Sequence, residues 1–101
     1  MANTFKNYVS SGVGTSEATV YTVPSSTTAV LIGCNIANVS SSQIKVTVKV
    51  ADTHVVKTVP IPANSSLSVL DGKIIAETTD TVKVTSDTAS SVDVIVSVLE
   101  Q

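Results

Sequence analysis

The chain has no arginine and no tryptophan, and in 101 residues it carries one cysteine, one histidine, one phenylalanine and two tyrosines. Each scarcity narrows what the protein does. Arginine is the usual fork for phosphates and guanine edges. Its absence, with six scattered lysines, no basic cluster and a net charge of −2, speaks against nucleic-acid binding. The single Cys34 rules out an intrachain disulfide and fits folding in a reducing cytoplasm. No apolar run approaches the roughly 20 residues of a membrane-spanning helix, so no membrane partner is expected. The opening Met1-Ala2-Asn3-Thr4 has no apolar signal core, and no secretory leader is expected from it. Charge is low at 14%, against a mean hydropathy of +0.38. Weak self-repulsion of this kind favours association, so a homo-oligomer is expected.

What the chain does have is valine, serine and threonine. Nineteen valines and 29 hydroxyl residues make up nearly half of it. Val and Thr are stiff at χ1 and favour extended backbone. Their arrangement is more telling than their number. Ile44, Val46, Val48 and Val50 alternate with Lys45, Thr47 and Lys49, and Val92, Val94, Val96 and Val98 alternate with Asp93, Ile95, Ser97 and Leu99. A period of two sends alternate side chains to opposite faces of a strand. No segment sustains a 3.6-residue period.

Turn signals divide the rest. Pro24 stops a strand over residues 18–23, and residues 25–28 form a turn. Residues 29–39 are almost continuously apolar, which predicts a central strand covered on both faces. Ser40 to Ser42, Ala51 to Thr53, Asp71-Gly72, Glu77 to Asp80 and Asp87 to Ser91 mark further turns. The pattern predicts an all-β fold, a single antiparallel β-sandwich or small barrel of about eight short strands. Residues 18–101 form this domain. Residues 1–17, polar and Gly/Ser-rich, are either an N-terminal arm that orders against a partner or an edge strand.

No catalytic or metal constellation is apparent. His54 opens a strand after a turn and has no second histidine or acidic cluster at metal spacing. Cys34 lies within the most apolar strand and reads as a small core hydrophobe. As a nucleophile it would need a base and an electropositive setting, and only His54 is available. Asp71, Asp80, Asp87 and Asp93 do not gather into a calcium loop, and turn chemistry accounts for Asp71 and Asp80. Two N-x-S patterns, at Asn38 and Asn64, are expected by chance in a chain so rich in serine. Phe5, Tyr8 and Tyr21 are too few for a stacking platform or carbohydrate cleft. The expectation is a non-enzyme without cofactor, metal or defined site residues.

The run Thr19-Val-Tyr-Thr-Val-Pro-Ser-Ser-Thr-Thr-Ala-Val-Leu-Ile-Gly-Cys-Asn-Ile-Ala-Asn38 resembles small bacteriophage virion proteins. In these a -x-Tyr-x-Val-Pro- strand leads through a polar turn into a long apolar strand ending in Asn. Later pieces follow in the same order: the Val/Thr strand over residues 43–50, Ile61-Pro62, Leu70-Asp-Gly-Lys-Ile74, Asp80 to Thr85, and the closing valine strand to Glu100. The resemblance implies a structural component of a virion, made in the bacterial cytoplasm. Capsid decoration is its first form, and a head-tail connector or a tail or fibre part the alternative. It also implies partners: copies of itself and other virion proteins such as the major capsid protein. A carbohydrate- or surface-binding β-sandwich module is the competing class.

Overall fold

A computed structural model describes residues 3–70 and 72–101. Its described residues are all-β, with nine strands and no helix. They are β1 (Thr4–Val13), β2 (Ala18–Thr22), β3 (Ala29–Asn38), β4 (Ile44–Val50), β5 (Thr53–Ile61), β6 (Ser66–Ser68), β7 (Ile74–Ala76), β8 (Thr81–Ser86) and β9 (Val92–Glu100). One sheet, here sheet A, has the order β1-β9-β3 with β6 and β7 both on the far edge of β3. The other, sheet B, has the order β2-β8-β4-β5. All pairings are antiparallel.

β6 pairs Asn35 to Ala37 of β3 and β7 pairs Ala29 to Leu31, so the two act as halves of one interrupted edge strand. The eight strands β2 to β9 are those expected over residues 18–101, and the ninth, β1, lies in the stretch read as an arm or edge strand. With β6 and β7 counted as one, the nesting of the strands, first with last, second with next-to-last and so inward, is the double Greek key of a jelly roll.

The alternating valines build the core. In β9 the inward set is Val92, Val94, Val96 and Val98, and in β4 it is Ile44, Val46, Val48 and Val50. Leu31, Ile36, Ile61, Val82 and Val84 fill the space between the sheets. Of the stretch 1–17, residues 4–13 form β1, which pairs along β9 from Thr4–Glu100 to Val13–Val92. Gly12 sits at the shift in that register with φ +66°, a left-handed conformation that costs glycine nothing.

The reading of β3 needs one correction. It is central, between β9 and the β6/β7 edge, but only its inner face is covered. Val30 is half-buried and Ile32 is exposed on the other side. The run reads as nearly continuous because the outward Val30, Ile32 and Ala37 are apolar too, although Asn35 shares their face and no described strand is layered over it. The Asp71 part of the expected Asp71-Gly72 turn lies outside the described residues.

Candidate functional site

Three features carry chemistry: the two outer faces of the sandwich and one polar cluster between the sheets. Directly paired residues of an antiparallel ladder share a face, so the register alone defines each row. On sheet A, Phe5 pairs Leu99, Leu99 pairs Val30, and Val30 pairs Ile75. This is an apolar row across four strands. Phe5 is 72% exposed and Ile75 66%. A parallel row runs Val9, Ile95, Asn35, Ser68, with Val9 68% and Ile95 46% exposed. Between them lie Asn7, Ser97 and Gly33, where Ser97 Oγ donates to Asn7 Oδ1 at 2.8 Å. Ile32, the extra residue of the β3 bulge, is exposed beside this row.

Among the described residues Asp93 is the one charged side chain at an outward strand position of sheet A. Its Oδ1 accepts the Gly12 N–H at 3.0 Å.

Sheet B presents the opposite chemistry. Its matching row is Thr19, Lys83, Lys49, His54. Two lysines directly opposite each other repel, and each has a counter-ion. Glu17 lies 3.0 Å from Lys49, and Asp52 lies 3.1 Å from Lys83. Thr47 pairs Thr85 in the neighbouring row. At the β5 edge, Pro60, Lys57 and the Thr58 bulge (φ +50°) discourage further strand pairing.

Between the sheets, the inward register of β9 ends on a carboxylate. Glu100 is 8% exposed. It accepts Tyr21 Oη at 2.6 Å and Tyr8 Oη at 3.0 Å, and Lys6 Nζ stands 3.4 Å away. The two tyrosine rings stack with centroids 4.4 Å apart. The Tyr21 hydrogen bond above all holds the Glu100 carboxyl below its ordinary range. Burial first, and then the carboxylate they bond, push both tyrosines above theirs. The cluster ties β1 and β2, the first strands of the two sheets, to the last residue of β9. It is a satisfied latch. Sequence reasoning missed it, although the alternation of Val92 to Val98 carried one step further puts Glu100 on the inner face.

The residues singled out from sequence do not meet. Cys34 is buried on the inner side of β3, where burial pushes its thiol up to about 11. His54 is exposed on the outer side of β5 in the other sheet. Asp80 Oδ2 accepts the Glu77 N–H at 2.9 Å and closes a turn. Asp87 Oδ1 accepts the Lys45 N–H at 3.1 Å, which holds its carboxyl below the usual range. Asn38 is buried as a knot for the β3–β4 turn: its amide donates to the carbonyls of Ser42, Ile61 and Pro62. Among the described residues no group of three His, Cys, Asp or Glu side chains is placed to hold a metal. An open depression of about 350 Å³ lies between β5 and the β6–β7 connection, lined by Val55, Val69, Leu70, Gly72, Lys73 and Ile74.

No family model and no curated protein matches the chain. Among solved structures it is similar to a chain from work titled "Bacillus endospore appendages form a novel family of disulfide-linked pili". That alignment has 16% identity and a TM-score of 0.45, covering 98% of this chain and 85% of the other. A likeness at that level supports no functional conclusion.

Proposed function

We propose that the protein is a structural subunit that works by surface complementarity, without a catalytic step, and that the assembly it serves is a bacteriophage virion. The observation that carries the structural role is the contrast between its outer faces: apolar side chains across four strands of sheet A, paired lysines and threonines on sheet B. Contiguous apolar surface rimmed by polar groups marks an interaction site. The virion reading comes from the sequence resemblance. The jelly-roll topology is in keeping with it as a fold-level analogy, since viral capsid domains and lectins alike use that fold.

Within the virion class, capsid decoration suits a small, rigid, single-domain module made in the host cytoplasm, with the major capsid protein and copies of itself as partners. A head-tail connector or tail component would use the same surfaces with a different symmetry. Repetition around a symmetric scaffold turns weak contacts into firm attachment through effective concentration. The native mass of the purified chain across a concentration series tests the reading. A defined oligomer supports it: a dimer fits any of these locations, three subunits point to decoration and six or twelve to a neck or tail ring. A monomer at every concentration, together with binding on a glycan array, would replace it with a surface-binding module.

A further inference from the structure

We propose that the outer face of sheet A is a self-complementary interface that pairs with the same face of a second copy of this chain, sheet on sheet across a twofold axis. The proposal rests on the reading of the protein as a self-assembling structural subunit, and it names the surface and the occupant.

Three observations select this occupant. The first is the missing layer. β3 has the nearly continuous apolar sequence of a strand buried on both faces, yet Ile32 is exposed, Val30 is only half-buried, and no described strand is layered over them. A second sheet packed about 10 Å away supplies that layer, as in any β-sandwich. The second is charge. Among the described residues Asp93, near the start of β9, is the one charged side chain at an outward strand position of sheet A, so two copies can meet on the rows of Phe5 and Ile95 with one carboxylate each to keep in water. Sheet B cannot serve as the mate, because docking there would strip water from Lys49, Lys83 and their counter-ions.

The third observation is extent. The exposed parts of Phe5, Val9, Ile32, Ile75 and Ile95 amount to roughly 500 Å² of apolar surface, in two rows divided by Asn7 and Ser97, against the few hundred Å² of a typical monomer's largest patch. Two such faces reach the roughly 1,000 Å² that separates specific interfaces from incidental contacts. Half-buried Val30 and Leu99 and the polar Asn7, Ser97 and Asn35 add to it. A face that pairs with its own copy closes as a twofold dimer rather than running into a filament.

Charges placed at opposite margins of the face distinguish this arrangement from strand addition at the free edge of β1. Ile75 lies on β7 and Val9 on β1, with β9 and β3 between them. The test is sedimentation equilibrium of the full chain, wild type against Ile75→Lys, Val9→Lys and the double variant. Thr19→Lys on the exposed side of sheet B serves as control. Unchanged circular dichroism and thermal unfolding certify each fold. The expected result is a dimeric wild type, at least tenfold weaker association for each single variant, a monomeric double variant and an unaffected control. A dimer that tolerates Ile75→Lys but is lost in Val9→Lys would assign the contact to the β1 edge and overturn the face pairing. An oligomer that survives the double variant would overturn it while leaving self-assembly standing. A wild type monomeric throughout would remove both.

Discussion

The two outer faces of this sandwich are built from the same kind of strand and have opposite chemistry. Sheet B carries Thr19, Lys83, Lys49 and His54 where sheet A carries Phe5, Leu99, Val30 and Ile75. Both pack on one shared aliphatic core, so folding places the same demand on their inward residues. The outward residues answer to something else. A lysine-threonine face is what a soluble sheet needs, and it needs no further explanation. An apolar face opposite it does, and the proposed interface on sheet A supplies one.

The sharpest way to break the comparison is to put the same charge on neighbouring residues of β9. Val94 is buried in the core and Ile95 half-exposed on the outer face. Val94→Asp is expected to abolish folding, with a loss above about 4 kcal/mol from an unpaired buried charge. Ile95→Asp is expected to stay within about 1 kcal/mol of wild type in urea unfolding, while association falls. Equal losses would mean that sheet A has no free outer face.

The next effect concerns the latch that holds β1, and with it Phe5 and Val9, in sheet A. Tyr21→Phe removes the 2.6 Å hydrogen bond to Glu100 and is expected to cost about 1.5–3 kcal/mol, the range for bonds to charged groups. Tyr8→Phe, at 3.0 Å and closer to solvent, should cost less. Denaturant midpoints at constant m-value check the order, and a reversed order would assign the latch to β1 alone.

The same cluster gives stability a pH dependence with a known sign. Glu100 and Asp87 titrate lower in the folded chain than in the unfolded one. Their contribution is present above the ordinary carboxylate range, near about 4, and is lost as pH falls through their lowered values. Tyr8 and Tyr21 titrate higher when folded. Their contribution is complete below about 10 and is lost as pH rises through the raised values. Glu100→Gln should flatten both limbs, leaving the share of Asp87 at acid pH and that of tyrosine burial at alkaline pH. Unfolding midpoints between pH 2 and pH 11 would show it, and unchanged limbs would remove Glu100 from the linkage.

The smallest expected effect lies on sheet B. Lys83→Ala or Lys49→Ala removes a partly exposed ion pair but also relieves the repulsion between the two lysines, so stability should move by no more than about 0.5 kcal/mol. Association should not change. A large loss of association would shift the interface to sheet B.

Much of this was legible in residue order, and the remainder depended on register. The valine alternation in β4 and β9 exposed the core, and Pro24 and the serine turns marked where strands stop. β9 even showed that two of its four outward residues, Ile95 and Leu99, are apolar. That these align with Phe5, Val30 and Ile75 depends on pairings such as Phe5 with Leu99, 94 positions apart, which local pattern does not encode. The β3 bulge and the division of the edge into β6 and β7 are likewise products of tertiary pairing. Glu100 could have been placed inside from its phase in β9, but the two tyrosines that make its burial tolerable come from β1 and β2.

The most direct test of the contrast is a concentration series of methyl resonances from the wild-type chain in solution. Cross-peaks of Ile32, Ile75, Ile95, Val9, Val30 and Leu99 are expected to shift together and to follow a single binding curve. Core methyls such as Val46 and Val84, and the threonine methyls of sheet B, should stay in place. Shifts confined to sheet B, or spectra that do not change up to millimolar concentration, would contradict the assignment of function to the apolar face.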